Sequence, residues 1–183
     1  MSTAWGCLIV DKYWISDWLR ENGVKNFTVN QDLSVDVDGH VGLSSRSLTS
    51  IPFKFRNITG NLNLFNNQLT SLLNCPESVG GVFYCGKNKL TDLVGCPNKV
   101  GEYIDCSENE LVSLIGCPKI VGGFYCSNNQ LSSLEFCPVS DINHFDCSGN
   151  KLTSLLGCPL TVSTLFAKST DLLFFFNIYL YPI

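Results

Sequence analysis

Charge is scarce in this chain. Only 15% of its 183 residues are Asp, Glu, Lys or Arg, well below the quarter usual in globular proteins. Disorder needs many charges and few large apolar groups, so a hydrophobic fraction of 45% excludes that class. The net charge of -4 leaves no electrostatic footprint for nucleic acid or an anionic membrane. Histidine is nearly absent. His40 and His144 stand 104 residues apart, and no Ser-His-Asp or Cys-His order can be built from them. There is no Cys-x-x-Cys pair, no Gly-x-x-x-x-Gly-Lys-Ser/Thr loop and no dinucleotide fingerprint. The longest apolar stretch, from Leu172 to Ile183, is about half the length a membrane-spanning helix needs. No cationic start leads into an apolar core and a small-residue cleavage site. These absences point to a non-enzymatic, soluble, cytoplasmic protein without cofactors or metals, of one domain or a short repeat array.

What the chain does contain is periodic. Cys-Pro pairs at Cys75, Cys96, Cys117, Cys137 and Cys158 recur at intervals of 21, 21, 20 and 21 residues. A second cysteine series, Cys85, Cys106, Cys126 and Cys147, keeps the same step. So do Asn67, Asn88, Asn109, Asn129 and Asn150, and leucine follows two and five residues after each asparagine. One unit reads Phe124-Tyr-Cys126-x-x-Asn129-x-Leu131-x-x-Leu134-x-x-Cys137-Pro138. In Phe83-x-Cys85 and Ile104-x-Cys106 the alternation puts two side chains on one strand face, toward a core. The asparagine then turns the chain, and its amide can bond backbone groups that the bend strips from the ladder.

With these motifs the chain resembles the leucine-rich-repeat family, over roughly residues 35 to 176. The resemblance implies a mainly β, α/β-class solenoid, right-handed, with parallel strands on its concave face and an asparagine ladder. A unit this short, with a proline in each outer segment, predicts an extended or polyproline-like convex side. The units and their Val-Gly-Gly linkers look like small leucine-rich-repeat proteins of tailed bacteriophages. That likeness implies an accessory protein that binds and inhibits a host defence protein, such as a CRISPR effector, in the host cytoplasm. The other reading is a structural role, in a virion or a self-assembling scaffold.

The ends depart from the pattern. Residues 1–40 form an amino-terminal cap: Asp11 caps a helix to about Asn22, with Gly23 as its stop. Trp14, Ile15, Trp18 and Leu19 make its apolar stripe, the tryptophans as core residues. Phe27–Val29 and Leu33–Val37 read as the strands of a hairpin. Repeats fill residues 41–176, with Arg46 where the first ladder asparagine belongs and Thr170 where the last does. Leu172 and Phe175 fit a final unit, and residues 177–183 form an apolar plug. The mid-array Asn109 is expected to matter more than Asn67, beside the irregular Arg46. Cysteines in core phase are expected to be buried, reduced thiols, because buried cysteine acts as a small hydrophobe and adjacent parallel strands suit disulfide torsions poorly. Cys7 has no assignment.

A partner would meet the strand face that points away from the core. Its central column reads Asn63, Tyr84, Asp105, Tyr125, Asp146, Phe166, flanked by Asn61, Val82, Tyr103, Gly123, His144, Thr164. The other flank is Phe65, Gly86, Ser107, Ser127, Ser148, Lys168. Tyrosine brings contact area and a hydroxyl at low entropic cost, which suits a protein interface. Tyr84, Tyr103, Asp105, Tyr125, His144, Asp146 and Phe166 are therefore the candidate partner-binding residues. Cross-strand packing that merely supports the sheet is the alternative for each.

Overall fold

Among the described residues one helix comes first, and every further regular element is a short strand. The computed structural model describes residues 10–119, 121–138, 141–159 and 161–168. Cys7, Thr170, Leu172, Phe175 and the plug at 177–183 lie outside the described residues. Helix α1 spans Lys12–Glu21, and the Asp11 carboxylate accepts from the Tyr13 and Trp14 amides at 2.9 Å each. Capping of this kind satisfies donors that the first helical turn leaves without partners. Ile15 and Leu19 are fully buried, while Trp14 and Trp18 stand edge-on against Phe53, at 6.1 and 5.2 Å. The two tryptophans are thus part of the packing under the cap.

The strands are β1 Phe27–Val29, β2 Val35–Val37, β3 Val41–Gly42, β4 Phe55–Ile58, β5 Leu62–Asn63 and β6 Ser78–Val79. They continue as β7 Phe83–Tyr84, β8 Lys99–Val100, β9 Tyr103–Asp105, β10 Gly123–Tyr125, β11 Ile142–Asp146 and β12 Val162–Phe166. Seven of them, in the order β12-β11-β10-β9-β7-β5-β3, form one parallel sheet, so the chain coils as a β-solenoid of about six turns. The periodic residues line its interior. Leu69, Leu90, Leu111 and Leu131, their partners Leu72, Leu93, Leu114 and Leu134, and Phe83, Phe124 and Phe145 are all fully buried.

The segments after Cys75-Pro76 and Cys96-Pro97 go beyond the expected extended or polyproline-like run. Strands β4, β6 and β8 pair in parallel, and β2 joins them through a register shift at Val35. The result is a second, five-stranded sheet in the order β1-β2-β4-β6-β8. Ile58, Val79 and Val100 give it one buried residue per turn. Its edge is the antiparallel β1–β2 hairpin, whose second strand starts at Val35 because Leu33 takes a left-handed turn conformation, φ 64°.

Between the two sheets the chain turns a corner so tight that a side chain has no room. A Cβ on Gly80 would sit 2.0 Å from the Thr59 carbonyl oxygen, and one on Gly101 1.9 Å from that of Gly80. On the other corner the asparagine column closes each turn. Asn109 donates to the Cys85, Cys106 and Ser107 carbonyls and accepts from the Leu90 amide. Asn88, Asn129 and Asn150 repeat the arrangement. The nine described cysteines are free thiols. Six are buried, but Cys96 and Cys117 are only half-buried, which corrects the expectation of full burial at those two positions.

Candidate functional site

Register decides which outward side chains are neighbours. Asn63 is opposite Tyr84, Tyr84 opposite Asp105, Asp105 opposite Tyr125, Tyr125 opposite Asp146, and Asp146 opposite Phe166. On the flank, Tyr103 aligns with Gly123, Gly123 with His144, and His144 with Thr164. Tyr84, Tyr103, Asp105, Tyr125 and Asp146 are half-buried; His144 and Phe166 are exposed. Val82, in the same outward phase, is only 4% exposed, so phase alone overstates what a partner could reach.

The tyrosines form one body. Tyr103 stands between Tyr84 and Tyr125, with ring centroids 5.7 and 5.4 Å apart and interplanar angles of 89° and 77°. Edge-to-face packing of this kind sets the positive ring edge against the negative face of its neighbour. Gly123 makes the second contact possible: a Cβ there would lie 3.0 Å from the Tyr103 Cβ and 3.6 Å from the Tyr125 ring. The Tyr84 and Tyr103 hydroxyls are hydrogen-bonded at 2.6 Å. That bond, and after it burial, pushes the Tyr103 phenol up to about 12, so it stays protonated at neutral pH.

The aspartates are tied to their own strands. Asp105 accepts from the Ser107 amide at 3.0 Å and from its hydroxyl. Asp146 accepts likewise from Ser148, at 2.9 Å from the amide, and Asn63 accepts from the Phe65 amide at 3.0 Å. These are Asx-type brackets that hold the chain where each strand ends. The Asp-x-Ser spacing carried that signal in the sequence. Asp105 and Asp146 therefore hold the strand ends while facing outward.

Beside the tyrosines lies an open groove of about 340 Å³. Tyr103, Tyr125 and His144 line it, together with Gly101, Glu102 and Asn143, which the outward-column reading missed. Alternation could not supply them: Gly101 and Glu102 precede strand β9, and Asn143 is exposed although its neighbour His144 holds the outward phase. Among the described residues no group of three or more His, Cys, Asp or Glu is placed to hold a metal ion. No helix among them is long and apolar enough to cross a membrane. No family model, curated protein or solved structure matches the chain.

Proposed function

We propose that the chain is a non-catalytic binding module of leucine-rich-repeat type, which grips a protein partner on the concave face formed by the seven-stranded sheet. The observation that carries this reading is the Tyr84–Tyr103–Tyr125 array. Three aromatic rings locked edge to face on the solvent side of a sheet are pre-ordered, so a partner gains their contact area without the usual cost of fixing loose side chains. The likeness of the repeats to phage proteins supports a more specific form, in which the partner is a host defence protein met in the host cytoplasm.

A second reading, a self-assembling scaffold, rests on a different surface. The turn before each Cys-Pro pair presents an exposed apolar residue, Leu73, Val94, Ile115 and Leu156, and in the fourth turn Phe136. Phe136 takes a left-handed conformation, φ 67°, that a bulky side chain adopts at a cost. Rows spaced about 4.8 Å apart make these tips one apolar ridge.

The deciding experiment is capture from bacterial lysate with wild type, a Tyr103→Ala/Tyr125→Ala variant and an outer-surface Lys119→Glu/Glu135→Lys variant. Binding of a host protein should weaken by about 2 kcal/mol or more in the tyrosine variant alone if these rings are hot spots. Loss only in the outer-surface variant would overturn the concave-face reading. Recovery of the chain alone, abolished by Ile115→Ser/Phe136→Ser, would favour the scaffold.

A further inference from the structure

The groove beside the tyrosines has an electrostatic character that the whole-chain charge hides. Residues 101–108, 122–128 and 143–149, which carry β9, β10 and most of β11 with the turns that follow them, contain no lysine and no arginine. They do contain Glu102, Asp105, Glu108 and Asp146. The two ion pairs found among the described residues, Arg20–Asp17 and Arg56–Asp36, lie elsewhere. Counting Asp, Glu, Lys and Arg, these three segments alone carry as much charge as the chain's net -4.

Two aromatic walls, Tyr103 and Tyr125, line the groove with Gly101, Gly122 and Gly123, and with Glu102, an exposed residue of the same rim. The Tyr103 hydroxyl is already bonded to Tyr84, so what the tyrosine offers a ligand is its ring. A flat cation that stacks on a ring and pairs with a carboxylate has one common protein form, the arginine guanidinium. An apolar ligand would gain nothing from Glu102, and an anion would be repelled by it, the one acidic residue that lines the groove. We propose that this groove receives an arginine side chain from an exposed basic segment of a partner protein. The inference rests on the binding reading above and adds the chemistry of the partner: a protein that presents arginine to an acidic, aromatic face.

Titrating the full ¹⁵N-labelled chain at low ionic strength with a Gly-Arg-Gly-Arg-Gly amide tests this directly. The Gly101, Gly122 and Gly123 amide signals should move, and the citrulline counterpart, isosteric but neutral, should leave them in place. Glu102→Gln, an exposed change that cannot disturb the core, should weaken the peptide by about threefold. Tyr103→Leu should weaken it by about tenfold, with circular dichroism confirming an intact fold. Equal shifts with citrulline, shifts confined to other residues, or displacement of the signals by a neutral oligosaccharide instead would overturn the inference. The two readings fail separately. Loss of a captured host protein in the tyrosine variant without any peptide shift defeats the arginine site alone. Peptide shifts at these glycines with undiminished capture sustain the site and defeat the interface.

Discussion

An amide side chain buried at a corner must find a partner for each of its polar atoms, and the asparagine column shows how completely this chain manages that. Asn109 bonds two carbonyls within 3.1 Å in adjacent turns and accepts from the Leu90 amide at 3.0 Å. Replacing it with leucine would leave those backbone groups buried and unpaired, each at about 1–3 kcal/mol. The expectation that Asn67 matters less loses its premise in the structure. Its amide reaches the Leu43 and Leu64 carbonyls at 2.9 Å, and its oxygen accepts from both the Arg46 and Leu48 amides at 3.0 Å. The irregular turn at Arg46 keeps its backbone donor, while the guanidinium reaches the Asn22 carbonyl at the end of the capping helix. Asn67→Leu and Asn109→Leu should therefore destabilise about equally, by about 3 kcal/mol or more in urea unfolding. A markedly smaller loss at Asn67 would mean that the first turn relaxes to supply new partners.

At the scale of elements, the corner between the two sheets is the least forgiving feature of the turn. The Gly101 position is closed by the Gly80 carbonyl, a backbone atom that cannot rotate away. Gly101→Ala should cost about 2–3 kcal/mol, near the upper end for overpacking. Gly42, in strand β3, has no left-handed φ, and a Cβ there would meet nothing within 4 Å, so Gly42→Ala should be neutral or stabilise by up to about 1 kcal/mol. Thermal melts of the two variants check the contrast, and equal shifts would place the tightness elsewhere. The main sheet was legible because each of its strands in the regular repeats is bracketed by a phase-locked cysteine and asparagine. The second sheet was not, because β6 and β8 each pair one polar with one apolar residue, Ser78-Val79 and Lys99-Val100, and so show no run of inward-facing apolar residues. The signal existed: Ile58, Val79, Val100, Val121 and Ile142 form a buried column in the repeat phase, just before the corner glycines in most turns. The outward column was legible from alternation alone. The leaning of Tyr125 onto Tyr103, and the brackets at Asp105 and Asp146, depend on neighbouring rows and on strand ends that alternation does not describe.

Summed over the whole molecule, the cysteine columns make stability depend on pH in one direction. Burial raises the Cys75, Cys85, Cys106, Cys126 and Cys137 thiols well above the ordinary value of 9.0, and Cys147 to about 12. In the unfolded chain the same thiols ionise near that ordinary value, so above it the unfolded state sheds protons that the folded state keeps. The stabilisation is fully present below pH 9 and declines as pH rises toward the folded values. One unit above 9.0, each such thiol has lost on the order of 1 kcal/mol of its contribution, and six together lose several kcal/mol. That is comparable with the entire stability of a domain, about 5–15 kcal/mol. The solenoid should therefore unfold cooperatively near pH 10 under reducing conditions, as followed by circular dichroism. Tyr103, raised from 10.0 to about 12, adds to the loss only at higher pH and so does not set the onset. Removing half of the buried thiols in a Cys85→Val/Cys106→Val/Cys126→Val variant should move the transition to distinctly higher pH, even if the larger side chains cost some stability at pH 7. A transition that stays at the same pH in that variant would show that the thiols do not drive alkaline unfolding, and their columns would then be inert packing.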